Sequence, residues 1–165
     1  MKKVFIYIAL TALFIVGVAF FFNNFKSSKN NSNQVNPSLP QIKVGSTNIS
    51  VELAMTQEAR LKGLSGRESL DTNSGMLFTF DNTNTVRSFW MKGMKFPLDF
   101  IWIKDGKVVQ IDKNIPVPPA GTEDSKLTIY ASQTPVDYVL EVNAGFSDKN
   151  NIKIGDTVDL SKALQ

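Results

Sequence analysis

The segment from Gly75 to Ile103, GMLFTFDNTNTVRSFWMKGMKFPLDFIWI, constrains the fold more than any other part of the chain. After residue 22 it holds five of the seven phenylalanines and three of the four methionines, and it contains both tryptophans. Three short apolar runs, 75–80, 86–91 and 98–103, are separated by polar or Pro-containing turns, the pattern of consecutive β-strands. Met76, Phe78 and Phe80 share one face of the first run. Leu98, Phe100 and Trp102 share one face of the third, while Ile101 and Ile103 occupy the other. A strand apolar on both faces lies between two layers. A functional site is expected where these strands meet, although no motif declares a reaction.

The flanking sequence extends the same pattern. Ile42 and Val44, then Ile49, Val51 and Leu53, alternate with polar residues around Gly45-Ser46-Thr47 and predict a hairpin. Thr56 is placed to cap a short helix, TQEARLK, with Glu58 in its first turn and Gly63 as its stop. Leu64–Ser74 reads as a loop. Lys104-Asp105-Gly106-Lys107 predicts a tight hairpin turn into Val108–Ile111. Pro116–Pro119 reads as a stiff extended loop, and 127–131 and 138–142 as strands. One helical turn is expected within 144–151, and a last hairpin over 152–160 around Gly155-Asp156. Eight to ten short strands, one short helix and no βαβ alternation predict an all-β domain, an antiparallel β-sandwich or barrel.

Two appendages precede this domain. Val4–Phe22 contains no charged residue. As a helix it would span roughly 28 Å, close to the hydrocarbon thickness of a bilayer. It has no polar face, which argues against a buried soluble helix. Residues 1–22 are therefore expected to form a signal anchor, a transmembrane helix. The alternative is a signal peptide cleaved after Gly17-Val18-Ala19, leaving a secreted or periplasmic protein. Lys2, Lys3 and the α-amine outweigh Lys26 and Lys29, which favours the N-terminus in the cytoplasm. The expected location is the cytoplasmic membrane, single-pass, with the C-terminal domain outside. Residues 23–40, rich in Asn, Ser, Lys and Pro, read as a flexible linker, and residues 41–165 as the folded extracytoplasmic domain.

The pI of 9.1 arises from the appendages. Of 18 basic residues, Lys2, Lys3, Lys26 and Lys29 precede the domain, which leaves 14 against 15 acidic residues. A nucleic-acid partner needs a basic face on the folded part, and no such run is present. The chain has no cysteine, which excludes disulfides, thiolate nucleophiles, zinc ribbons and iron–sulfur clusters. It also has no histidine, the usual base near pH 7 and the commonest transition-metal ligand. No cofactor or metal is expected, and any chemistry falls to carboxylates, Lys, Arg, Tyr, Ser or Thr.

Several segments in a fixed order carry a resemblance. They are Arg60-x-x-Gly63-Leu64-x-x-Arg67, Gly75-Met76-Leu77-Phe78-x-Phe80, Phe89-Trp90-Met91-Lys92, Pro97-Leu98-Asp99, Leu140-Glu141-x-Asn143-Ala144-Gly145 and Gly155-Asp156. Together they resemble the domain-of-unknown-function 192 family over about residues 42–160. The resemblance implies a compact β-rich domain of jelly-roll-like type, often behind a signal peptide or membrane segment, with no established activity. Ser65 stands where that family usually has Met, and Gly93-Met94 where it has Asn-Thr.

Six residues are candidates for a site: Arg60, Arg67, Trp90, Lys92, Asp99 and Glu141. Asp99, in an apolar strand, needs a cation such as Arg67 or Lys92, or else a raised pKa. Arg60 and Arg67 bracket the helix end and suit a bidentate grip on a carboxylate of a ligand or of the protein. Trp90, with Phe89, Met91 and Lys92, suits the wall of a cleft, and only one of Phe89 and Trp90 can face a given side. Asp99 and Glu141 are the carboxylates to test as a hydrolytic pair. Each candidate also has a structural reading, as an internal ion pair or as core. The expected function is binding of an envelope ligand, whether glycan, small molecule or protein. The alternatives are a carboxylate-based hydrolase or lyase acting on an envelope polymer, and an accessory protein working through a surface patch.

Overall fold

The computed structural model describes residues 39–82 and 84–164. The expected membrane span, Val4–Phe22, lies outside them, as does the linker up to residue 38. Among the described residues no helix is long and apolar enough to cross a membrane.

The strands are β1 (Gln41–Val44), β2 (Thr47–Ala54), β3 (Ser74–Thr79), β4 (Ser88–Phe89), β5 (Leu98–Lys104), β6 (Lys107–Ile115), β7 (Tyr130–Ala131), β8 (Tyr138–Asn143) and β9 (Val158–Asp159). Helix α1 spans Gln57–Lys62, α2 spans Phe146–Lys149, and Asp124–Lys126 is a 3₁₀ turn. Seven strands form one sheet in the order β6-β5-β8-β3-β2-β1-β9, while β4 and β7 pair separately. The two edges of the large sheet meet. Lys107 bridges Thr157. Val108 N–H donates to the Asp156 carbonyl at 2.9 Å, and Val158 N–H to the Gly106 carbonyl at 2.8 Å. The sheet is thereby a nearly closed barrel, which removes most of its exposed edge.

Alternation along the strands fills two cores. Ile42, Val44, Ile49, Val51, Leu77, Ile101, Ile103, Leu140 and Val142 belong to one. Met76, Phe78, Leu98, Phe100, Trp102 and Val139 belong to the other, with Leu64, Met91 and Met94 packed against them. β5 is buried on both faces from Leu98 to Ile103 because it separates the two. Phe89 of β4 lies against Phe78, Phe100 and Trp102, with ring centroids 4.9, 5.6 and 5.7 Å away. The small sheet thus roofs the second core.

The β1–β2 and β5–β6 hairpins form as expected. Four features differ. β2 and β3 pair in parallel, so the domain is mostly β but not wholly antiparallel, and β2-α1-β3 is one βαβ unit. The connection Met55–Asn73 is long enough to run back along the sheet, which a parallel pair requires. β3 and β5 are not neighbours, because β8 lies between them. The expected middle strand shrinks to Ser88–Phe89, since a turn closed by Met94 N–H to the Met91 carbonyl follows it. The last hairpin does not form, and β9 pairs with β1 at the barrel seam instead.

Candidate functional site

β8 alternates strictly, so Glu141 must face opposite to Leu140 and Val142. In register it lies between Met76 of β3 and Phe100 of β5, on the face of the second core. That face is otherwise apolar. Glu141 is 5% exposed, and no hydrogen bond reaches its carboxyl among the described residues. Burial alone pushes its pKa up to about 8, so it keeps its proton at neutral pH.

Glu141 contributes to the wall of a cleft of about 740 Å³. That volume lies within the range of pockets for small molecules, roughly 300–1,000 Å³. One wall is α1. Thr56 caps it by accepting from Ala59 N–H at 3.1 Å. The cap and the single turn that follows place Arg60 toward the sheet. Arg60 Nη1 donates to the carbonyls of Met55 at 2.6 Å and Thr79 at 2.9 Å. Its Nη2 lies 4.0 Å from the almost fully exposed carboxylate of Asp81.

Arg87 enters from the opposite side in sequence, just before β4. Its guanidinium carbon is 4.1 Å from the Phe80 ring centroid, and that of Arg60 is 5.7 Å from the same ring. Arg87 donates through Nη2 to the Asn82 carbonyl. Burial first, and the neighbouring Arg60 second, hold its pKa below the ordinary arginine value, with Asp81 opposing. Two guanidinium groups share one aromatic ring, an arrangement with a repulsive component.

The third wall carries Trp90, 42% exposed, while its neighbour Phe89 is turned into the core. Lys92 Nζ lies 5.6 Å from the Trp90 ring centroid and pairs with Asp124. Leu61, Val86 and Ile129, all exposed, add an apolar rim. The charged side chains lining the cleft are Arg60, Lys62, Arg87 and Lys92 against Asp81, with Glu141 neutral. The cleft is therefore cationic within a domain of almost balanced charge.

Four of the six expected residues, Arg60, Trp90, Lys92 and Glu141, line this cleft, and two do not. Arg67 forms a two-pronged ion pair with Glu52, with Nη2 to Oε2 at 2.7 Å. That hydrogen bond holds the Glu52 pKa below the usual carboxylate range against the effect of burial. Asp99 is fully buried and pairs with neither Arg67 nor Lys92. Its carboxylate accepts from the backbone N–H groups of Asn114 at 2.8 Å, Gly145 at 3.1 Å and Ser147 at 2.9 Å. It ties β6 and the start of α2 to β5, and it is a structural residue. Asp99 pairs with Val142 in register, and Glu141 with Phe100. The two carboxylates point to opposite faces of the sheet and cannot act as a hydrolytic pair.

Arg87, Phe80 and Asp81 belong to the cleft and were not singled out from the sequence. The available signal was that Arg87, the third of three arginines, lies just before Phe89-Trp90. Among the described residues no cluster of three acidic side chains is arranged to hold a metal ion. Ser65, which lines the cleft, meets Gly93. A Cβ on Gly93 would lie 2.2 Å from Ser65 Oγ, and Gly66 N–H donates to the Gly93 carbonyl at 2.8 Å.

Residues 40–160 match the family model DUF192, described as uncharacterized ACR. No curated protein matches the chain. Among solved structures it is similar to a protein of Sinorhizobium meliloti 1021 described as a candidate transcription regulator. The identity is 31% over 73% of this chain and 92% of that one, with a TM-score of 0.64. It is also similar to a protein of unknown function from Novosphingobium aromaticivorans DSM 12444. There the identity is 29% over 72% of this chain and 83% of that one, and the TM-score is again 0.64.

Proposed function

The chain belongs to the domain-of-unknown-function 192 family, and from that premise we propose that it is a membrane-tethered, extracytoplasmic domain that binds a small acidic ligand of the cell envelope in the cleft between α1, Phe80 and Trp90. The uncharged run Val4–Phe22 and its flanking lysines support the tether and its orientation. One observation carries the binding reading. A carboxyl without a partner, Glu141, sits in the apolar wall of an open cleft whose charged lining is mainly cationic. A buried polar group without a partner is costly, and selection for the fold alone would favour an apolar residue there. The balance of 14 basic and 15 acidic residues in 41–165 speaks against regulation through DNA contact.

The test is a thermal-shift series on the full-length protein with organic acids, sugar acids, sugar phosphates and neutral glycans. A ligand at 100 times its Kd adds about 2.7 kcal/mol of stability, a shift of several degrees. The shift is expected for acidic compounds and is expected to disappear in Trp90→Ala. No shift with any of them would end the small-ligand reading.

A second reading, a hydrolase or lyase acting on an envelope polymer, is favoured by the protonated Glu141 in the wall of a cleft that Asp81 also lines. A carboxyl that keeps its proton at neutral pH can serve as a general acid. This reading expects turnover that is lost in Glu141→Gln and in Asp81→Asn; binding without turnover would exclude it.

A further inference from the structure

Resting on the cleft-binding reading, we propose that the ligand class is a sugar acid, a pyranose ring carrying a carboxylate. The cleft offers three kinds of contact, and each addresses a different part of such a molecule. Arg60 and Arg87 share the Phe80 ring, and each has only some of its donors engaged with backbone carbonyls. An anion between them removes their mutual repulsion and gains charge-assisted hydrogen bonds. Trp90 presents an exposed indole, which suits the apolar face of a sugar ring. Glu141, in its neutral form, presents an O–H donor in an apolar wall, where a hydroxyl or ring oxygen can accept.

Simpler acids leave part of this set unused. An aliphatic or aromatic acid satisfies the two arginines and Trp90 but leaves Glu141 without an acceptor. A neutral sugar satisfies Trp90 and Glu141 but brings no negative charge to the two arginines. Sites built around a buried donor discriminate strongly against ligands that lack its partner.

Binding is also linked to pH. The charged groups that line the cleft together with Glu141 come from α1 (Arg60, Lys62), from the β3–β4 connection (Asp81, Arg87) and from the segment after β4 (Lys92). Its strand neighbours Met76 and Phe100 carry no charge. Glu141 loses its proton above about pH 8. It then no longer donates, and its charge opposes an anionic ligand. Affinity for a sugar acid should fall about tenfold between pH 7 and pH 9 if only the protonated form binds.

The deciding experiment is calorimetric titration of the full-length protein with glucuronate, galacturonate, glucose, glucose 6-phosphate and benzoate at pH 7 and pH 9. The uronates are expected to bind at least tenfold tighter than glucose or benzoate, and glucose 6-phosphate tests whether a phosphate can replace the carboxylate. Arg87→Gln should lose at least tenfold for the uronates and little for glucose. Glu141→Gln keeps an N–H donor, so it should bind uronates at pH 7 and lose the weakening at pH 9. Far-ultraviolet circular dichroism establishes that each variant is folded. Binding of benzoate or glucose 6-phosphate in preference to the uronates, abolished by Trp90→Ala, would overturn the sugar-acid assignment and leave the cleft reading standing. Binding of none of the five overturns both.

Discussion

At the scale of single residues, Glu141 and Asp99 show how one alternating pattern gives two carboxyls opposite roles. Unfolded, Glu141 ionises near the ordinary value of 4.5; folded, it keeps its proton to about pH 8. Between those values the folded state holds the extra proton, so stability falls as pH rises from about 4.5 to about 8 and levels off above. Glu141→Gln should match the parent at pH 5 and exceed it by a few kcal/mol at pH 8, read from urea denaturation at the two pH values. Asp99 has the contrary arrangement, a buried carboxylate that accepts from three backbone N–H groups. Asp99→Ala is expected to cost about 3–5 kcal/mol, and denaturation midpoints with an unchanged slope would register it. The sequence marks both residues as unusual, because each is a charge in an apolar strand. It does not separate them, since the N–H groups that serve Asp99 come from segments far along the chain and no local pattern announces that none serves Glu141. Trp90 was legible because Phe89 and Trp90 cannot share a side. Arg87 was not, because its place depends on the Phe80 ring and on a pairing with Ser132 that no local pattern announces.

At the scale of elements, turn and cap chemistry was readable and strand partnership was not. Thr56, Glu58 and Gly63 mark α1, and Asp105-Gly106 marks the β5–β6 turn, through local hydrogen bonding and permitted backbone angles. The place of β8 between β3 and β5 rests on complementary faces brought from distant segments. Gly75 shows the constraint once the neighbours are known: a Cβ there would lie 2.7 Å from the Glu141 carbonyl. Gly75→Ala should therefore destabilise the domain by about 1–3 kcal/mol, measurable as a lower melting temperature. Thr56→Ala should cost about 1 kcal/mol by removing the cap of α1. Because α1 positions Arg60, the same change should weaken binding of an acidic ligand severalfold, which titration at fixed pH would reveal.

At the scale of the whole domain, stability is unevenly distributed. β3, β5 and β8 lie centrally in the sheet and contribute to both cores, whereas β4 and β7 pair only with each other. Hydrogen exchange should find the amides of Leu77, Ile101 and Leu140 the slowest, and those of the β4–β7 pair faster by orders of magnitude. The composition of the barrel was predictable, but its closure was not, because the seam joins residues near 107 to residues near 157. That seam bears on the order in which the chain is made. The hairpins β1–β2 and β5–β6 can form early, but the two halves of the sheet stay apart until β8 is synthesised. β1 gains its second partner only when Val158 and Asp159 arrive. Such distant pairings make folding slow compared with helical domains. The barrel therefore closes only after Val158 and Asp159 have been made, and a chain cut short before them would keep β1 and β6 as open edges.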